Sequence, residues 1–271
     1  MIGAITWELE TMADARLEGF AGRLLHAAFF RLLASISPAL SKTVHDEMST
    51  KPFSLSPLLA SARERACICR KEPFFVQRGT RFLWRTSLLH PLLLQALLQI
   101  PIGTPLQVGH VPMRIASLHA DSTLESGILE PEELIATAIA QEEAHEITLR
   151  FDSPVCFRRD SFDYPLPEPM LIFFSLADKW QQSEMPLPLD RATVKELAAH
   201  IYPTDWSGRT QRVYFNRNSG LSGFTGFYTF SLRELKPSAR CLFLLLAQFA
   251  AFSGTGRMTT QGFGKTRYRW R

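Results

Sequence analysis

The sequence predicts an α+β chain built as two successive βαββαβ halves, and three observations predict it. Apolar residues run at strand spacing and then at helix spacing in the same order twice. An acidic stretch of weaker periodicity separates the two cycles, and a glycine-rich segment joins the last helix to the last strand. With 271 residues, the chain is long enough for two domains of ordinary size, each with its own core. The expected domains are 1–125 and 140–271.

The first cycle opens with alternation from Ile2 to Leu9, which predicts a strand. Leu17, Phe20, Leu24, Leu25, Phe29, Leu32 and Leu33 then recur at helical spacing. Pro38 interrupts this pattern, and a second short helix carrying Leu40 and Val44 is expected before the polar stretch 46–50. His45 therefore falls where a helix runs into a loop. Around the turn signal Arg78-Gly79, the segments Arg65–Arg70 and Thr80–Leu88 read as the two strands of a hairpin. Pro91 marks the first position of a helix running to Gln99. Thr104–Leu118 returns as an extended segment, which completes the order strand, helix, strand, strand, helix, strand. That order is ferredoxin-like.

Asp121–Gln141 is the expected connection, part of it helical. The second cycle repeats the topology rather than the residues. His145–Phe151 reads as a strand, and Met170–Trp180 and Ala192–His200 as helices. Gln211–Phe215 and Thr225–Leu232 read as a hairpin, Ser238–Phe252 as a helix and Lys265–Trp270 as the final strand.

Composition excludes several classes. Apolar residues make up 46% and charged residues 21% of the chain, so neither a disordered nor a collagen-like polymer fits. The four cysteines, Cys67, Cys69, Cys156 and Cys241, lack paired CxxC spacing, and no secretory signal opens the chain; they are expected to be reduced, mostly buried thiols. The longest apolar run, Cys241–Phe252, is about 12 residues where a bilayer span needs about 20, and reads as a buried helix. A cytoplasmic protein is the expectation.

The net charge of +4 is modest, but no Asp or Glu follows Glu234, whereas Lys236, Arg240, Arg257, Lys265, Arg267, Arg269 and Arg271 do. Such an end attracts a polyanion, either nucleic acid or an anionic surface. The aromatic interleaving of Arg267-Tyr-Arg-Trp-Arg271 favours nucleic acid. A solvated charged tail is the plainer alternative.

The most specific segment is Ser253-Gly-Thr-Gly-Arg-Met-Thr-Thr-Gln-Gly-Phe-Gly264. Glycine permits positive φ and close backbone approach, so such a loop can turn N–H groups toward phosphates while Arg257 and Lys265 supply charge; the alternative is a tight structural turn. It follows a helix and precedes a strand, the reverse of the dinucleotide fingerprint, and has no GxxxxGK[ST] pattern, which argues against NAD and ATP.

This loop resembles the C-terminal glycine-rich loop of the CRISPR-associated protein six endoribonucleases of the RAMP superfamily. The likeness extends in order through Leu24-Leu-His-Ala-Ala28, Val44-His45-Asp46, Lys51-Pro-Phe-Ser-Leu-Ser-Pro57, Phe151-Asp-Ser-Pro154 and Gly223-Phe-Thr-Gly226, nearly the whole chain. The resemblance implies two ferredoxin-like domains of RAMP type and cleavage of precursor CRISPR RNA within its repeats, leaving a 2′,3′-cyclic phosphate with no metal or cofactor. The implied partner is CRISPR repeat RNA, as precursor and as processed guide. Effector-complex subunits and a second copy of the chain are further candidate partners; a membrane is not.

That chemistry needs a base for the ribose 2′-OH, an acid for the leaving 5′-oxygen and a cation for the phosphorane. Histidine, with a reference pKa of about 6.5, suits the first two roles. By resemblance, His45 and Lys51 fall on positions that often do the chemistry, and His26 stands where some members carry tyrosine. Arg23, three residues before His26 on the same helical face, completes the expected catalytic set. His90, His110, His119, His145 and His200 read as structural, and no HExxH or compact His/Cys pattern suggests a metal. The expected RNA-binding residues are Gly254, Gly256, Arg257, Gly262, Gly264, Lys265 and Arg267, with Arg209, Arg212 and Arg217 flanking the hairpin and Arg158 and Arg159 after the domain's first strand. Two alternatives stand beside cleavage: a noncatalytic RAMP-like subunit holding guide RNA, and, more remotely, a module for anionic surfaces.

Overall fold

The computed structural model describes residues 1–47, 50–60, 66–215 and 219–271. The chain forms two compact units. One comprises Met1–Leu129 with Val213–Gly220 and Met258–Gly262; the other comprises Glu130–Arg212, Leu221–Arg257 and Phe263–Arg271.

The first unit begins with strand β1 (Ile2–Thr11) and the short strand β2 (Ala15–Leu17). Helix α1 (Gly22–Ile36) follows, then α2 (Pro38–Lys42), which runs into a π-helical turn at Thr43–Glu47. Strands β3 (Phe53–Leu55), β4 (Phe74–Val76) and β5 (Arg81–Leu88) lead to helix α3 (Pro91–Leu98). Strands β6 (Pro105–Val108), β7 (Val111–His119) and β8 (Gly127–Leu129) complete it. The main sheet has the order β3-β5-β1-β7-β6, with β8 added on β1. Taking β1, β3, β5 and β7 as the four strands of the motif, this is the ferredoxin-like order.

The expected hairpin is corrected in one strand. The partner of β5 is β3, with Phe53 opposite Leu88 and Leu55 opposite Thr86. Arg65 lies outside the described residues, and of Ala66–Arg70 only Cys67 makes a bridge, to Leu59. Strand β4 pairs with β2 instead. The single extended segment expected at Thr104–Leu118 is a hairpin, folded at Gly109, whose φ of 65° suits glycine.

The core lies where α1 and α3 cover the sheet. Leu25, Phe29 and Leu33 of α1 and Leu93 and Leu94 of α3 are fully buried with Ile5, Trp7 and Leu9. Each such side chain contributes about 1.5–3 kcal/mol through burial. Trp7 stands opposite Trp84 across β1 and β5 and donates its indole N–H to Thr86.

The second unit opens with helix α4 (Pro131–Ala140), started by Pro131 and by a capping box between Glu130 and Glu133. Strand β9 (Glu146–Val155) and the hairpin β10 (Phe157–Arg159) and β11 (Phe162–Tyr164) follow. Then come α5 (Pro169–Gln182), α6 (Arg191–Ala198), the long strands β12 (Tyr202–Tyr214) and β13 (Gly220–Ser231), α7 (Pro237–Ser253) and β14 (Thr266–Trp270). The sheet order β12-β13-β9-β14 repeats that of the first unit. Strand β12 starts at Tyr202, well before the expected Gln211.

All four cysteines are free. Cys156 alone is buried and the other three are half-buried, a correction to the expectation of mostly buried thiols. No helix among the described residues is long and apolar enough to cross a membrane.

Candidate active site

Helix α1 buries Leu25, Phe29 and Leu33 and turns Arg23, His26 and Phe30 along the neighbouring face. Its first residue is Gly22, and the identity of that residue matters. A Cβ there would overlap the carbonyl oxygen of Gln261, so only glycine lets 258–262 lie against the start of α1. Two side chains of α1 then hold that segment. Arg23 Nε donates to Gln261 Oε1 at 3.1 Å, and His26 Nδ1 lies 3.0 Å from the Thr260 carbonyl oxygen.

The Thr260 contact fixes the histidine's chemistry. A carbonyl oxygen only accepts, so Nδ1 carries the hydrogen and the lone pair of the neutral ring sits on Nε2. The ring stacks near Phe53 at 6.0 Å and meets the edge of Phe30 at 5.1 Å. Burial lowers the His26 pKa, the Thr260 bond partly restores it, and the charges of His45 and Lys51 lower it further.

His45 sits in the π-helical turn after α2, a rare conformation often found at functional sites. It donates from Nδ1 to Asp46 at 2.8 Å, and its carbonyl accepts from Lys51 Nζ at 2.7 Å. Its ring meets Phe30 edge-on at 5.0 Å. The two imidazoles therefore flank one phenyl ring, and His26, His45, Lys51 and Arg23 share one unit. The Arg23 guanidinium carbon also lies over the Phe215 ring, 3.8 Å from its centroid.

The glycine-rich loop differs from a phosphate nest. The N–H groups of Gly254, Thr255, Gly256, Arg257, Gly264 and Lys265 donate inward to Ala250, Gly264, Ser175, Cys156, Pro154 and Ser153. Cβ atoms at Gly256 and Gly264 would overlap the carbonyl oxygens of Cys156 and Thr255. These glycines serve close backbone packing, which corrects the expectation that their N–H groups meet phosphate. Gly254 ends α7 with φ 65°. Gly262 packs beside Phe20 and Pro57.

The basic residues divide by burial. Lys265 is almost fully buried and its ammonium is 2.9 Å from Asp152 Oδ2, so it braces the loop from inside, where the sequence reading had it touching RNA. Arg267 grips the same carboxylate through Nε and Nη2, each at 2.7 Å, with half its side chain exposed. Arg257 pairs with Asp163, as does Arg158 at 3.7 Å; Arg159 pairs with Glu168. Arg209 and Arg212 are exposed on β12, and Arg217 lies outside the described residues.

Several contributors carry no sequence signal. Thr260 acts through its backbone oxygen, Phe30 and Phe53 read as ordinary core aromatics, and Gly22 reads as a helix start. Lys179 of α5 is half-buried as a residue and donates its ammonium to the carbonyls of Gly254 and Ser253 at 2.9 and 3.3 Å; desolvation pushes that ammonium down to about 7. Among the described residues, no three His, Cys, Asp or Glu side chains gather as a group able to hold a metal.

Two family models match the chain. The CRISPR Cas6 N-terminal domain covers residues 8–127, and the CRISPR-associated endoribonuclease Cas6 covers 149–266. Among solved structures, a Cas6 (TTHB231) product complex is similar at 27% identity and TM-score 0.78, over 99% of this chain and 100% of that one. Thermus thermophilus Cas6 (TTHB231) is similar at 27% identity and TM-score 0.72, over 99% and 98%. A Cas6 (TTHA0078) product complex, at 24% identity and TM-score 0.74 over 100% and 99%, shares the fold. No curated protein matches the chain in sequence.

Proposed function

The chain belongs to the Cas6 family of CRISPR-associated endoribonucleases, and from that membership we propose that it cuts precursor CRISPR RNA within the repeat, without a metal, by attack of a ribose 2′-OH. His26 Nε2 takes the 2′-OH proton, the 2′-oxygen attacks the adjacent phosphorus, and the bond to the 5′-oxygen breaks. The products are a 2′,3′-cyclic phosphate and a 5′-OH end. His45 protonates the leaving oxygen, and Lys51, which holds the His45 backbone, adds positive charge beside the phosphorane. Arg23 positions the RNA. Exposed arginines, among them Arg209, Arg212, Arg257 and Arg267, meet the phosphate backbone.

The observation that carries this reading is the bond from His26 to Thr260. It points the basic nitrogen away from the backbone, and burial favours the neutral ring that a base requires. Incubation with labelled repeat RNA from the host's own array in excess EDTA tests it. Cleavage to a cyclic phosphate is expected, and a single 2′-deoxy substitution at the cut site should abolish it. Ends bearing 5′-phosphate, or a requirement for divalent metal, would overturn the mechanism; RNA bound but left intact would indicate a noncatalytic subunit.

Gly22→Ala provides a further check. The added methyl must push the 258–262 segment off α1 and with it the acceptor for His26. Single-turnover cleavage is expected to fall by roughly 10-fold or more, on the general ground that small misplacements of catalytic groups are costly. Far-ultraviolet circular dichroism should stay unchanged. A wild-type rate in Gly22→Ala would show that the Thr260 contact does not orient the base.

A further inference from the structure

Beside Arg23, the first unit holds a cavity of about 210 Å³ that the cleavage chemistry leaves unused. Its wall includes the aromatic residues Phe20, Tyr214 and Phe215 together with Arg23, Glu18 and His110. Gly109 turns the chain under it with positive φ, and a Cβ there would press on Leu24, another wall residue.

Its place along the chain ties this cavity to the catalytic histidine. Arg23 and His26 stand one turn apart on one face of α1. Their partners, Gln261 and Thr260, are consecutive residues. The Arg23 guanidinium carbon already lies over the Phe215 ring, so an aromatic face and a guanidinium are set together at the cavity's edge. Single-stranded RNA is bound through such planes, on which an unstacked base lies, with polar groups meeting its edge.

We propose that this cavity seats one unstacked ribonucleobase of the substrate, next to the scissile phosphodiester. The assignment rests on the endoribonuclease reading and adds a specificity site to it. A carboxylate accepts hydrogen bonds and donates none, so Glu18 favours a base with an edge amino group: cytosine, adenine or guanine over uracil. Arg23 fixes the base plane rather than moving a proton.

A binding cycle tests this on the full chain. The probe is repeat RNA in which single abasic sites are walked through every position, made uncleavable by 2′-deoxy substitution. In the wild type, one abasic position is expected to weaken binding by roughly 10-fold or more. Phe215→Ala should weaken unmodified RNA by a similar factor, and the two changes together should add no further loss. Uracil at that position should bind more weakly to the wild type but not to Glu18→Gln, whose amide can donate. Losses that multiply at every position would overturn the proposal. Should Phe215→Ala fail to fold, His110→Ala, at an exposed turn, carries the same cycle. Because the readout is binding, a chain that shows this pattern with the probe but leaves the all-ribose repeat uncut retires the endoribonuclease reading alone. Multiplying losses in an enzyme that cuts retire the base site alone.

Discussion

Replacing His26 by alanine is expected to lower single-turnover cleavage of repeat RNA by about 10²-fold or more, the usual worth of a general base, and to leave RNA affinity within a few-fold. On the proposed mechanism the active form is the neutral ring, and burial, first among the causes, lowers its pKa. Protonation therefore removes the base only below the ordinary histidine value of about 6.5. The wild-type rate should fall as pH drops through that lowered value, and the acidic limb should vanish from the residual activity of His26→Ala. His45→Ala should cause a loss of similar size while keeping that limb. If His26→Ala retains the wild-type rate, or keeps the acidic limb unchanged, His26 is not the base and the stacking against Phe53 and Phe30 is its whole role.

Removing the Asp152 carboxylate is expected to be the most destabilising single change outside the apolar core. Lys265 has 4% of its side chain exposed, and its ammonium lies 2.9 Å from Asp152 Oδ2. Asp152→Ala takes that carboxylate away from a buried charge, and breaking a buried pair in this way usually costs about 3–5 kcal/mol. The loss should appear in urea unfolding as a lower midpoint with an unchanged slope. Lys265→Met in the same chain should recover much of it, because the buried charge is then gone. Burial pushes the Asp152 carboxyl up, but the Arg267 hydrogen bond and the Lys265 charge outweigh it, and the folded pKa is lowered. A carboxylate depressed in the fold contributes its stability above the unfolded value of about 3.9 and loses it as pH falls through the folded one. Wild-type stability should therefore drop below about pH 4 by this route, and the Asp152→Ala chain should lack that component. A loss under about 1 kcal/mol would mean that the pair behaves as a surface contact.

The parts of the fold that were legible in the sequence are those whose periodicity is set by burial. Helices α3, α5 and α7 were found near their true ends because burial sets their apolar pattern, whereas the helical spacing read from Leu17 onward begins too early: Leu17 lies in β2 and α1 starts at Gly22. Strand β3 was missed because it has three residues, all buried, and shows no alternation. Strand β12 was cut short because nearly all of it is exposed and it carries Pro203 and Gly208, so no apolar pattern marks its first half. At the site, residue types were readable and partners were not. His26, His45 and Lys51 could be picked out through the family's motifs, but the Thr260 carbonyl has no residue-specific signature. Lys265 was misread for a physical reason: a lysine followed by alternating arginines looks solvent-facing, and its burial depends on Asp152, which is 113 residues earlier.

The pairing of His26 with Thr260 spans 234 residues and lies within the unit made chiefly of Met1–Leu129. During synthesis the imidazole emerges early, while its acceptor and the Gln261 that holds Arg23 emerge only after every strand but β14 has been translated. A nascent chain therefore carries the histidine before the carbonyl that orients its ring. On the proposed mechanism, competence to cut arrives with the glycine-rich segment, and the ribosome's direction of travel then acts as a safety catch on a nuclease made among cellular RNAs.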